Sequence, residues 1–172
     1  NEFEFDLLIY ATGFDGVTGP YDRIDIKGKD GRSLKEEWTN FPRTLFGMQV
    51  DGYPNMLMIL GPHTARGNIP RNIEEVVEWQ TDLISFMVEN KLDRVEPKSD
   101  AVDEWITTVS KASEGLLSSK IASWQTGVNR NVEGRSAPRV LGYNGGAVRY
   151  RKIIEDVASR EYEEFTFSKM SQ

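Results

Sequence analysis

Asp6-Leu7-Leu8-Ile9-Tyr10-Ala11-Thr12-Gly13-Phe14 is the stretch on which the fold turns. The unbroken apolar run from Leu7 to Tyr10, stopped at Gly13, reads as a short strand buried on both faces, the pattern of parallel sheets in α/β proteins. A glycine at a strand end lets a ligand or a second stretch of chain approach the backbone. Such ends are also where open α/β sheets bind their ligands. Taken alone, Ala11-Thr12-Gly13 reads first as an ordinary strand followed by a glycine turn.

Outward from that strand the pattern is mixed. Arg23-Ile24-Asp25-Ile26 alternates, the turn signal Asp30-Gly31 follows, and with Arg32-Ser33-Leu34 this predicts a small exposed hairpin. Further strands are expected at 45–50 and 56–60, separated by the turn Tyr53-Pro54-Asn55. Gly61-Pro62-His63-Thr64-Ala65-Arg66-Gly67-Asn68-Ile69-Pro70 is a loop by composition. Asn72 with Glu75 forms a capping-box pattern, and Ile73, Val76, Val77, Leu83, Ile84, Met87 and Val88 follow on one stripe. This predicts a helix over about 73–89. A second helix is expected after Pro97 with Ser99 as its cap and Val102, Trp105, Ile106, Val109 and Ala112 inward. A third is expected over about 148–159 with Val148, Ile153, Ile154, Val157 and Ala158 inward. Residues 123–139 are irregular, and 162–167 alternate as an edge strand would. The expected fold is therefore α/β, with short strands plus three main helices.

Composition narrows the function classes. The 172 residues contain 38% hydrophobic and 28% charged side chains, as in a soluble globular protein. A net charge of -6 argues against nucleic acid or an anionic membrane surface as partner. With no cysteine and one histidine, disulfides, thiol catalysis and multi-histidine metal sites are excluded, so no metal is expected. The longest apolar run, 56–60, is far shorter than the roughly 20 residues of a membrane helix. The acidic start, with no basic leader, fits a cytoplasmic protein, and its abrupt entry into an apolar strand suggests a piece of something larger.

The stretch 6–14 resembles the late strand and turn of flavoproteins with two dinucleotide-binding domains, in which the Ala-Thr-Gly turn lies against FAD. The order of later motifs narrows the resemblance. Tyr21-Asp22-Arg23-Ile24-Asp25-Ile26, Leu34-Lys35-Glu36 with Trp38, Tyr53-Pro54-Asn55-Met56, Gly61-Pro62 and Val77-Glu78-Trp79 come first. Ser123-Trp124 with Gly127 and Asn129, Gly145-Gly146 and Tyr150-Arg151 then follow. In this order they resemble the Baeyer–Villiger monooxygenases, of the cyclohexanone and phenylacetone type, over nearly the whole chain. The resemblance implies that 1–172 is a single C-terminal segment of an FAD-binding domain. It further implies FAD and NADP as cofactors, a ketone and O2 as substrates, an ester or lactone as product, and the remaining domains of the same enzyme as partners.

Residue by residue, it implies that Thr12 and Gly13 lie near FAD, and that Gly67, Asn68 and Ile69 lie beside the flavin ring, with Ile69 also lining the substrate pocket. Trp124 would meet the nicotinamide cofactor from a loop shaped by Gly127 and Asn129. An indole suits that role, offering a flat apolar face and one N–H donor, although a tryptophan is equally suited to a core. Arg66 reads either as a solvated loop arginine or as a cation stabilising negative charge in the substrate pocket. His63, with no carboxylate paired to it in sequence, reads as a surface or hydrogen-bonding residue, so no proton-transferring or nucleophilic catalytic residue is expected. The chain departs from the family in having Arg130-Asn131-Val132-Glu133-Gly134 where Ile-Pro-Gly is common. It also lacks any Gly-x-Gly-x-x-Gly turn to cradle a pyrophosphate, so the chain alone should hold FAD weakly and be inactive. Two alternatives stay open: a related enzyme oxygenating nitrogen or sulfur, and a non-catalytic interaction domain derived from this fold.

Overall fold

Three amphipathic helices carry most of the core of the computed structural model, which describes residues 3–10, 15–132 and 135–169. After the short helix α1 (Leu34–Glu37), the long α2 spans Ile69–Glu89, α3 spans Ser99–Ser113 and α4 spans Ala147–Ser159. Each buries an apolar stripe: Val76, Trp79, Leu83 and Met87 on α2, Val102, Trp105 and Val109 on α3, Tyr150, Ile154 and Val157 on α4. Ile73, Val77, Ile84 and Val88, expected on the buried stripe of α2, are instead 36% to 71% exposed, because only the narrower face toward α4 is covered. Each such aliphatic side chain removed from water contributes roughly 1.5–3 kcal/mol. Trp79 locks α2 to α4 by donating from Nε1 to the Ile154 carbonyl at 2.7 Å. Tyr150 donates to the Phe46 carbonyl at 2.7 Å, and its complete burial pushes the phenol pKa up. A smaller cluster of Leu34, Trp38, Val50, Tyr53 and Met58 organises the first third of the chain.

The three main helices stand where periodicity put them, but their ends differ. The α2 cap is Asn68, not Asn72: the Asn68 side chain accepts from the Arg71 amide, and Pro70 occupies the first turn, where a missing N–H costs nothing. Asn72 is buried and donates instead to the Ala65 carbonyl at 2.9 Å. Ser99 is the first residue of α3 rather than its cap, its hydroxyl being taken by Asp51 at 2.8 Å. Val148 is 67% exposed, and Tyr150 takes the inward position expected of it.

The strands differ more. β1 (Arg94–Pro97) and β2 (Phe165–Ser168) pair antiparallel with Val95 opposite Phe167, so the tail strand begins at 165 rather than 162 and gains a four-residue partner that the sequence reading left out. Residues 45–50 make a tight turn in place of a strand. Phe46 and Gly47 both take positive φ, at 54° and 72°, and Leu45 pairs back onto Gln49. Residues 56–60 run alongside this turn through a single Met58 amide to Met48 carbonyl bond and form no ladder. The hairpin reduces to one antiparallel bridge, Lys27 with Ser33, around a turn containing Asp30 and Gly31. The opening stretch forms no strand within residues 3–10. Leu7, Leu8, Ile9 and Tyr10 are 52% to 79% exposed, because a doubly buried strand needs neighbours on both edges and layers on both faces, and no described residue supplies them.

Candidate functional site

The loop after residue 60 is held like a strand without belonging to a sheet. The Tyr143 amide donates to the Thr64 carbonyl at 2.9 Å and the Arg66 amide to the Tyr143 carbonyl at 3.2 Å, giving a parallel bridge between Ala65 and Tyr143. His63 lies beneath it, fully buried. Its Nε2 is 3.2 Å from the Val140 carbonyl, its Nδ1 3.1 Å from the Thr44 hydroxyl, and its ring stacks on Phe41. Burial disfavours the imidazolium and lowers its pKa to about 4, so His63 is a neutral structural post and not a surface residue. His63 and Leu60 take positive φ, at 72° and 55°, and so does Val17 across the cleft at 63°. Each such conformation costs about 1–3 kcal/mol and persists only where the surroundings enforce it.

Above this platform opens a cleft of about 380 Å³, lined by Val17, the 60–67 loop, Ile69 and Asn72 at the start of α2, Trp124 and Gln125, and Leu141 and Gly142. Arg66 and Ile69, candidates for the substrate pocket, and Trp124, a candidate for the nicotinamide cofactor, all line this one cleft. Arg66 is no freely solvated arginine. Nη1 donates to the Gln125 side chain at 3.0 Å and Nη2 to the Gln125 carbonyl at 2.9 Å, while Nε is buried with no hydrogen-bond partner. Burial lowers the guanidinium pKa, a sign that its charge is only partly compensated. Gly142 is required beside it, since a Cβ there would lie 2.7 Å from Arg66 Nε.

Trp124 heads a single 3-10 turn, Trp124–Thr126, closed by a capping box between Ser123 and Thr126 and ended by Gly127 at φ 69°. Its indole is 49% exposed, which rules out the core alternative. It rests on Gly16, where an added Cβ would come within 2.9 Å of Cε3. By contrast Trp105 is a core residue, as expected, and Trp79 is one too. Ile69 is 62% exposed at the cleft edge. Asn68 stands next to the cleft with its side-chain oxygen engaged in capping α2. Thr12 and Gly13 lie outside the described residues. Gly16, Gln125, Gly142 and Arg135 were not singled out from the sequence, because each acquires its role only through contacts distant in the chain.

Larger depressions elsewhere, of about 600 Å³ around Arg160 and β2 and about 480 Å³ between α3 and α4, gather none of the candidate site residues. Arg160 there is already engaged by Asp156, Glu163 and Glu164. Among the described residues no acidic or histidine cluster could hold a metal ion, and no helix is long and apolar enough to cross a membrane.

No protein-family model matches the chain. Individual proteins do. It is 40% identical over 162 residues to cyclohexanone 1,2-monooxygenase from an Acinetobacter species, and 38% identical over 164 residues to phenazine N-monooxygenase from Lysobacter antibioticus. Other relatives carry the names Baeyer–Villiger monooxygenase and FAD-binding monooxygenase. The backbone matches that of cyclohexanone monooxygenase from Rhodococcus sp. Phi1 bound to NADP+, with a TM-score of 0.90 and 34% identity over 98% of the chain. The chain is related to the Baeyer–Villiger monooxygenases.

It covers 94% to 95% of itself in the two sequence matches but only 29% to 30% of those proteins' length, and 31% of the Rhodococcus structure. The Baeyer–Villiger resemblance read from the motif order therefore holds. So does the mixed helix-and-strand architecture, which corresponds to part of an α/β flavoprotein. Within that family likeness, the cleft joins the loop after Gly61-Pro62 to the Trp124 segment, the two stretches that the motif order set apart as functional.

Proposed function

We propose that this chain is part of an FAD- and NADPH-dependent monooxygenase that inserts one oxygen atom of O2 into a ketone to give an ester or lactone. The observation carrying this reading is the convergence of Arg66, Ile69 and Trp124 in one cleft of a chain so similar to cyclohexanone monooxygenase. In this reading 1–172 is one C-terminal segment of an FAD-binding domain, working in the cytoplasm. The rest of the same enzyme supplies the phosphate-binding turns and the NADP domain.

The described residues fit such cofactors. Trp124 offers a half-exposed indole face for a ribose or nicotinamide and an N–H for a hydroxyl. Arg66 keeps one buried donor without a partner beside that face. Asn68, Gly67 and Ile69 form the exposed lip from which backbone groups would reach a ring edge. The family resemblance alone assigns Thr12 and Gly13, which lie outside the described residues, to the FAD contact. Bound FAD, reduced by NADPH, supplies the activation of oxygen. The chain's own part is to exclude water with Ile69, to orient the nicotinamide with Trp124, and to stabilise negative charge growing on a substrate oxygen with Arg66.

A second reading has its own support, since a relative at 38% identity is a phenazine N-monooxygenase. There the same cleft would face a flat nitrogen heterocycle, with Arg66 serving the forming N–O group. The test is NADPH-driven turnover of the FAD-loaded protein carrying this chain under labelled dioxygen, offered cyclohexanone and phenazine separately. Labelled lactone from cyclohexanone supports the first reading, and N-oxide alone selects the second. NADPH-dependent formation of neither product, with ketones and heterocycles of several sizes, overturns both.

A further inference from the structure

A buried ion cluster stands behind Trp124 that neither reading uses. Arg135 is 5% exposed, and its two terminal nitrogens diverge to two carboxylates. Nη1 donates to Asp15 at 2.6 Å and Nη2 donates to Asp22, joining positions 120 and 113 residues apart. The two carboxylates keep only 20% and 18% of their side-chain exposure.

Asp15 is followed by Gly16, the seat of the Trp124 ring, and by Val17, which lines the cleft. The Thr18 amide closes a tight turn onto the Gly16 carbonyl at 2.8 Å. On the other side, the Asn129 amide donates to the Arg135 carbonyl at 2.9 Å and the Arg139 amide to the Thr126 carbonyl at 2.8 Å, so the Trp124 turn is tied to the stretch carrying Arg135. The side chain of Arg135 thus grips the seat while its backbone grips the loop bearing the indole.

We infer that Arg135 is a positioning residue for Trp124: by clamping Asp15 and Asp22 it fixes Gly16 under the indole and so sets the affinity for the nicotinamide cofactor. The affinity arm rests on the proposal that Trp124 contacts that cofactor; the positioning arm does not. A lysine would bring one point charge on a flexible stem and lose the fixed fork whose two nitrogens hold Asp15 and Asp22 apart at set positions. Without the guanidinium, two partly buried carboxylates repel and the 15–22 stretch moves away from the loop. A displacement of about 1 Å in such a contact is enough to be felt in binding.

The test uses the FAD-loaded protein carrying this chain, labelled with fluorotryptophan, as wild type, Arg135→Met, Asp22→Asn, Trp124→Phe and the Arg135→Met/Trp124→Phe double variant. Fluorine NMR reads the indole environment, and calorimetry reads the Kd for NADP. Arg135→Met is expected to shift the Trp124 resonance while leaving those of Trp79 and Trp105 in place, and to weaken NADP binding about tenfold. The same change in the Trp124→Phe background should weaken it no further. Should Arg135→Met fail to fold, Asp22→Asn keeps the shape, severs one arm and is expected to weaken binding about threefold with the same selective shift. An unmoved Trp124 resonance in the folded clamp variants refutes the positioning role. Equal weakening with and without the indole refutes the link to affinity. Unimpaired NADP binding by Trp124→Phe with a shifted resonance in Arg135→Met refutes the cofactor reading of Trp124 and the affinity arm, and leaves the clamp standing.

Discussion

Acid should unfold this protein partly through His63. In the folded chain the imidazole is sealed beneath the 63–66 loop, and its pKa falls from 6.5 to about 4 because burial penalises the cation. Between those values the unfolded chain binds a proton that the folded chain does not. Stability is therefore greatest above pH 6.5 and declines as pH falls, with the loss complete near the folded value. The window is 6.5 minus about 4, and at 1.36 kcal/mol per pH unit it is worth about 3 kcal/mol. Against a typical total of about 5–15 kcal/mol this is a large share.

Carboxylates titrate in part of the same window, so the measurement is a difference between wild type and His63→Asn. Asparagine tolerates the positive φ at this site and does not titrate. Urea unfolding followed by circular dichroism at several pH values should show a steeper decline for wild type, the two curves converging by about 3 kcal/mol between pH 6.5 and 4 whatever their offset at neutral pH. Parallel curves would refute the reasoning. They would mean that His63 is charged in the folded protein, with Nδ1–H donating to the Thr44 hydroxyl while that hydroxyl donates to the Pro62 carbonyl at 2.7 Å.

Two further outcomes follow from packing and capping. Leu83→Ala removes a fully buried side chain from the α2 stripe and should cost about 2–5 kcal/mol in chemical denaturation, while Val148→Ala on α4, 67% exposed, should cost less than about 0.5 kcal/mol. Asn68→Ala should cost about 1 kcal/mol by removing the α2 cap, and Asn68→Asp should restore it. If Asn68 also faces the flavin, Asn68→Asp recovers stability without recovering FAD affinity, and full recovery of both would confine Asn68 to capping.

Much of the helical architecture was legible because a helix is made by neighbours three and four apart. The stripes of Val76, Leu83 and Met87, or Val102 and Val109, can be read without knowing what they face. The N-terminus of α2 was misread by four positions because Asn68 and Asn72 both carry capping chemistry. Tertiary burial decided between them, sending Asn72 inward to Ala65 and leaving Asn68 at the surface to cap. Strands fared worse. An apolar run such as 45–50 satisfies strand statistics equally when it folds back on itself, and the choice was made by the positive φ of Phe46 and Gly47 and by the Gln49 to Leu45 pairing. β1 alternates but is only four residues long, too short to stand out, and it pairs because β2 is delivered beside it by α4.

The sequence by itself determined the kinship, through the order of motifs from the Asp6–Gly13 stretch to Tyr150-Arg151, and it offered Arg66, Ile69 and Trp124 as separate candidates, Arg66 with a solvated alternative. Only the tertiary structure decided how they meet. Arg66 bonds Gln125 across 59 residues, Trp124 needs the bare backbone of Gly16, and Arg135 closes a buried clamp on Asp15 and Asp22. The physical reason is common to all three. Hydrogen bonds, close approach and charge pairing act through space over a few ångströms, and the distance along the chain carries no record of them.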